Sequence, residues 1–155
     1  YFHSEHRQLP WCREVWPVPR VEINPEDAAE WGIEQGDWVW IESPHGKIRE
    51  TADLYYGIPR GVINCEHTWW YPEMPAPEHG WRYSAVNQLV NNDIDDPHCG
   101  SAIVRGYPVK VYKATADNSP FGNPCPCTED GTEIIHDASD ARLKDWAPVY
   151  EGRDQ

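Results

Sequence analysis

The 155-residue chain has only two phenylalanines and one methionine, and 39% of its residues are hydrophobic. Its bulky apolar mass must come from elsewhere, and nine tryptophans and eight tyrosines supply it. Such rings carry a polar handle and suit a core that borders a wet pocket. Positive charge is also scarce: 13 Lys and Arg stand against 26 Asp and Glu, a net charge of -13. Phosphate neutralisation needs a basic face, so general nucleic-acid binding is excluded, as is attraction to an anionic membrane surface. Any anionic ligand must be held locally, by a few bases and by backbone N–H groups. There is no long apolar run, so no membrane insertion is expected, and no signal-like N-terminus. The cysteines, Cys12, Cys65, Cys99, Cys125 and Cys127, are odd in number and scattered, which is no disulfide framework. They are expected as free thiols. Cys125-Pro126-Cys127 is too tight for a zinc knuckle. Gly-x-Ser-x-Gly, a phosphate-binding Walker loop and His-Glu-x-x-His are all missing.

Proline and glycine are plentiful, at 15 and 11, and point to many short elements. Pro10, Pro17 and Pro19 limit the first 20 residues to a short helical turn around Trp11–Trp16. Val21-Glu22-Ile23 alternates as a strand. Asn24-Pro25-Glu26-Asp27 then opens a two-turn helix: Asn24 is the N-cap, Pro25 takes the first helical position and Gly32 stops it. Ile33 is expected to tuck beneath. Trp38–Ser43 and Ile48–Tyr55 read as a hairpin around Pro44-His45-Gly46-Lys47, and Val62–Cys65 as the next strand. A Pro-rich loop follows Pro72, a short helix or turn is expected within Ser84–Val90, and 101–105 and 108–113 read as strands. Beyond Ala114 the chain turns acidic and breaker-rich. We divide it into a β-barrel over 1–114 and an acidic, irregular extension over 115–155 that wraps the barrel or docks on a neighbour. The first residue is Tyr1 rather than Met, so a fragment or a processed piece of a longer protein is expected.

The densest chemistry lies in Cys65-Glu66-His67-Thr68-Trp69-Trp70-Tyr71-Pro72-Glu73. One imidazole, two indoles, a phenol and two carboxylates in nine residues exceed what one face of a core can take at strand period. Strand alternation would send Trp69 and Trp70 to opposite faces, one into the core and one toward a ligand.

The ordered run Val21–Ala28, Gly32-Ile33, Gly36-Asp37-Trp38-Val39, Ser43 and Gly46-Lys47-Ile48 resembles the C-terminal cofactor-binding domain of the molybdopterin oxidoreductases, the dimethyl-sulfoxide-reductase superfamily. His3-Ser4 with Arg7, His67-Thr68-Trp69-Trp70, Asn87-Gln88-Leu89, and Val104-Arg105 with Val109-Lys110-Val111 continue the likeness in order over roughly residues 1–113. The version at Glu66–Glu73 is nearest the branch of thiosulfate and polysulfide reductases, acetylene hydratase and catechol dehydroxylases. The resemblance implies a mainly β fold, a double-psi β-barrel with short helices, whose usual opening strand is missing before Tyr1. It also implies molybdopterin guanine dinucleotide with molybdenum or tungsten, in an anaerobic bacterial oxidoreductase whose catalytic centre sits in upstream domains. Those domains, and an iron–sulfur electron-transfer subunit, are the implied partners. Family members occur on both sides of the bacterial inner membrane, which leaves the compartment open.

Carried over by motif, His3, Ser4, Arg7, His67, Trp69, Trp70, Asn87 and Arg105 are the cofactor-binding candidates, with no catalytic or metal-ligating residue assigned. Hydroxyl, imidazole, amide and guanidinium donors match an acceptor-rich ligand. Each also has a plainer role: Arg7 in a surface ion pair with Glu5 or Glu14, Asn87 as a turn residue, Arg105 as an outward strand residue. His45, His79, His98 and His136 are read as surface residues. A non-catalytic aromatic β-domain binding carbohydrate or a protein partner is the alternative, and a zinc site a third reading.

Overall fold

The computed structural model describes residues 5–7, 9–91, 96–101, 105–119, 133–135, 137 and 139–142. Among these the chain runs α1 (Pro10–Val15), β1 (Arg20–Ile23), α2 (Pro25–Trp31), β2 (Trp38–Glu42), β3 (Lys47–Leu54), β4 (Ile63–Cys65), 3-10 turns at Trp81–Tyr83 and Val86–Leu89, and β5 (Lys110–Lys113). The strands form one sheet in the order β4-β1-β3-β2-β5. β1 pairs with β3 in parallel, with Val21 beside Ala52; the other pairings are antiparallel. The architecture is therefore mainly a sheet with a few short helices. The strand expected at 101–105 falls largely outside the described residues, and Arg105 itself sits in a bend.

Alternation along the strands splits the apolar residues between two layers, because successive side chains point to opposite faces. Val39 and Ile41 of β2 join Val21, Ile23, Ile48 and Ala52 in an aliphatic core that α2 covers through Ala28. Trp38 and Trp40, one residue out of phase, enter an aromatic core with Trp69, Tyr71 and Met74. Residues beyond 114 take part in this second core. Ile134 and Ile135 are 1% exposed, Ser119 accepts a hydrogen bond from Arg49 (3.1 Å), and Asn118 accepts one from the Trp40 indole (3.0 Å).

α2 forms by the rules legible in its sequence. Asn24 accepts from Glu26 N (3.0 Å), a cap of a kind typically worth about 1 kcal/mol. Gly32 adopts φ 67° and returns its N–H to Ala28 and Ala29, a left-handed cap that a side chain would strain. Ile33 is 3% exposed beneath the helix. Asp27 then ties α2 to the β3–β4 connection, accepting from Gly61 N (2.6 Å) and Arg60 Nε (2.7 Å). The Gly61 N–H, and after it Arg60, hold the Asp27 carboxyl below its ordinary range. A carboxylate with a depressed folded-state value contributes stability that is present above its unfolded value and lost as pH falls through the folded one. Asp27→Asn is therefore expected to flatten the acid limb of stability against pH, below about pH 4, as read by chemical denaturation.

The β2–β3 hairpin closes with Ser43 N bonded to Gly46 O (2.8 Å), and Ser43 Oγ donates to Leu89 O (2.8 Å). A Cβ at Gly46 would lie 2.5 Å from the Gln88 carbonyl oxygen, so only glycine lets the hairpin and the second 3-10 turn meet.

Candidate functional site

The strand β4 ends at Cys65, and the residues after it are irregular. Thr68 takes a positive φ of 57°, which breaks the alternation expected for this stretch. Trp69 (0% exposed) and Tyr71 (1%) both enter the aromatic core, while His67 and Thr68 are exposed and Trp70 is half-buried. The two indoles do divide between core and surface, but a backbone turn sets the division rather than strand pleating.

Arg7 is fully buried rather than on the surface. Its guanidinium lies 3.6 Å from the Trp69 ring centroid, donates to Thr68 O (3.1 Å) and stands 4.0 Å from Glu66. A guanidinium over an indole is favoured by the ring quadrupole, more so when both are desolvated. Glu66 also accepts from the Trp16 indole (3.1 Å). Burial pushes the Glu66 carboxyl up, against the pull of Arg7 and the Trp16 N–H. The N-terminal segment, α1 and the stretch after β4 thus meet at one polar cluster.

Two further groups in this region were not singled out from the sequence. Glu73 has a fully buried side chain and pairs with the fully buried Arg13 of α1. Its Oε1 also accepts from Ile135 N (2.8 Å), and Arg13 donates to Ile135 O (3.3 Å). Glu50 lies on the aliphatic side of β3, opposite Val39, and is 0% exposed. Its carboxylate oxygens make no close hydrogen bond among the described residues, the nearby Glu66 N–H being bonded to Arg20 O (3.1 Å). Burial pushes this carboxyl well up, the Glu66 carboxylate pushes it further, and the Glu66 N–H and Arg7 offset only part. The signal for Glu50 was available: the alternation of Ile48, Glu50 and Ala52 places it inward. For Arg13 and Glu73, 60 positions apart, no local pattern exists.

The other candidates are placed separately. Asn87 is exposed on the second 3-10 turn, and Arg105 is exposed beside Gly106. Neither has a contact with the Arg7 cluster among the bonds described, while His3 and Ser4 lie outside the described residues. His45 and His98 are exposed, and His136 lies outside the described residues. His79, read as a surface residue, is half-buried: its Nδ1 bonds Met74 O (2.7 Å) and its ring meets Trp70 at 5.6 Å. Cys12, Cys65 and Cys99 are free thiols; Cys125 and Cys127 lie outside the described residues. No helix among the described residues is long and apolar enough to cross a membrane.

Known proteins bear on this arrangement. Residues 1–107 match the family model described as the molydopterin dinucleotide binding domain. Dopamine dehydroxylase of Eggerthella lenta is 67% identical over 154 residues, covering 99% of this chain and 15% of that protein. Acetylene hydratase of Syntrophotalea acetylenica is 30% identical over 119 residues, 72% of this chain and 16% of that protein. The solved acetylene hydratase from Pelobacter acetylenicus superimposes with a TM-score of 0.62 at 26% identity, over 66% of this chain and 15% of that one. The chain thus spans about 15% of the length of the relatives it matches. On these grounds the chain belongs to the molydopterin dinucleotide binding domain family.

Proposed function

We propose that this chain forms one wall of a molybdopterin guanine dinucleotide site in a larger molybdenum or tungsten oxidoreductase, with His3, Ser4, Arg7, His67, Trp69, Trp70, Asn87 and Arg105 as its cofactor side. One observation carries the reading. His67 and Asn87 each expose a hydrogen-bonding side chain two positions from a buried anchor, Trp69 at 0% and Leu89 at 1%. Donors carried on a backbone anchored to the core suit an acceptor-rich ligand, since little backbone freedom remains to be lost on binding. Arg105 adds an exposed guanidinium near half-buried Tyr107, a donor set matched to phosphate and to amide edges. Arg7 and Trp69 are already packed on each other, so their part is to shape the wall from behind rather than to reach out.

When bound, the metal and its dithiolenes supply the electron transfer; the residues of this chain bind and orient. The overall reaction we propose is reductive removal of a hydroxyl from a catechol-like aromatic ring, consuming two electrons and two protons and releasing water. The 67% identity to a dehydroxylase supports that choice over a hydratase. Upstream domains and an iron–sulfur electron donor complete the assembly. We further propose that the sheet is part of a double-psi β-barrel, for which the parallel β1–β3 pairing beside antiparallel neighbours is the support. Residues 1–114 are then the cofactor-binding unit and 115–155 an extension fastened to it through Ile134 and Ile135.

The test uses the full-length enzyme carrying this chain. His67→Ala, Asn87→Ala and Arg105→Ala are expected to lower bound pterin and metal several-fold while thermal stability stays within about 1 kcal/mol of the parent, as for surface substitutions. Unchanged cofactor content in all three would overturn the assignment. Consumption of a reduced dye with a catechol, and not with its monohydroxylated product, is the expected substrate result.

A further inference from the structure

Trp70 is the indole of the pair that stays at the surface, and the chain on either side of it is fixed. Trp69 before it is 0% exposed and Tyr71 after it 1%. Ser84 Oγ donates its proton to Arg49 O (2.6 Å), so the Tyr71 hydroxyl is the donor in its bond to Ser84 Oγ (2.5 Å). That chain of bonds ties this point to the β3 backbone. Residues 71–80 then form a closed loop. Tyr71 N bonds His79 O (2.7 Å), Met74 N bonds Tyr71 O (3.1 Å) and His79 N bonds Pro75 O (3.0 Å). At the neck of the loop His79 takes a φ of 44° and Gly80 one of 62°. A positive φ strains a residue that carries a Cβ, and glycine or asparagine would make the same turn at less cost. Strain of this kind persists where the side chain is used for something.

The His79 imidazole has two contacts that fix its place. Its Nδ1 lies 2.7 Å from Met74 O; a carbonyl only accepts, so Nδ1 carries the proton and donates. Held by that bond, the ring stands against the Trp70 indole, with centroids 5.6 Å apart and planes tilted by 57°. This is a favoured separation for a ring pair. We propose that His79 is the positioning residue of Trp70: its backbone closes the loop over residues 71–80, its Nδ1–H holds the imidazole on Met74 O, and the imidazole sets the orientation of the indole. This rests on the reading of the chain as a cofactor wall, in which Trp70 faces the pterin. Buried Trp69 and Tyr71 already hold the backbone at Trp70, so the freedom left is rotation of the indole about its side-chain bonds. A ring packed on one side restricts that rotation before the ligand arrives, which lowers the ordering cost of binding. His79 acts through the indole, not by reaching the cofactor itself.

The test uses the full-length enzyme carrying this chain, with fluorinated tryptophan; the Trp70 signal is the one lost in Trp70→Leu. His79→Asn keeps a residue that tolerates the positive φ and a side-chain N–H for Met74 O, but has no ring. His79→Gly keeps the φ alone. In enzyme prepared without cofactor, the Trp70 fluorine signal should move toward that of a freely rotating indole by the same amount in both variants, while the signals of the buried tryptophans stay. An unmoved Trp70 signal would overturn the proposal. So would a shift confined to His79→Gly, which would give the role to the Met74 bond and not to the ring. In loaded enzyme, release of pterin and metal on dilution should be several-fold faster in His79→Asn and in Trp70→Leu. The double variant should release them no faster than Trp70→Leu, because a residue that acts through the indole has no effect once the indole is gone. Effects that multiply in the double variant would contradict a role through Trp70. If the fluorine signal moves as stated and neither single variant releases cofactor faster, the packing of His79 on Trp70 stands and the cofactor-wall reading is what fails.

Discussion

Arg13→Met is expected to destabilise the chain by about 3–5 kcal/mol, more than an ordinary helix substitution costs. The reason lies with the partner left behind. Both side chains are fully buried, so removing the guanidinium strands the Glu73 carboxylate away from water. The Ile135 N–H would remain its only described donor. For a chain of this size the loss corresponds to a fall of roughly 6–20 °C in Tm. Arg13→Met combined with Glu73→Gln should cost clearly less than the two single changes summed, because no charge is then stranded. Urea unfolding followed by tryptophan fluorescence reads all three variants. A single-variant loss below about 1 kcal/mol would mean that the pair is hydrated in solution and does not tie α1 to the aromatic core.

Trp69→Ala is expected to cost about 3–5 kcal/mol, at the upper end of that range. The indole is fully buried and packs edge-on against Tyr71, with ring centroids 6.5 Å apart. Its removal leaves a cavity and also takes away the surface on which the Arg7 guanidinium rests. Trp69→Phe keeps a ring face and should recover most of the loss. Protease nicking at the N-terminal segment gives a second readout: it should accelerate in Trp69→Ala and not in Trp69→Phe, because the stack is what holds Arg7 against the body of the chain. Equal nicking in both would separate Arg7 from the ring.

Much of the fold is legible because its signals are local. Asn24, Pro25 and Gly32 mark the ends of α2 by cap chemistry, and the hairpin at Pro44–Lys47 is marked by its breakers. The ordered motifs carried the family, and part of them reflects a local backbone requirement, such as the left-handed cap at Gly32. The stretch after Cys65 misled in one respect. Its composition said that something besides the core is served, but its pleating could not be read, because a positive φ at a threonine, as at Thr68, has no signal in the sequence.

What the sequence determined by itself, then, is an acidic, aromatic-rich, mainly β domain of a recognisable cofactor-binding family, with its helix caps, hairpin and donor-bearing segments in place. Only the tertiary structure decided that Arg7 is buried on an indole, that Arg13 and Glu73 pair across 60 positions, and that Glu50 is wholly cut off from water. The physical reason is common to all three. A charge's neighbours, and whether water reaches it, depend on segments far apart in the chain, and neither spacing nor propensity carries that information.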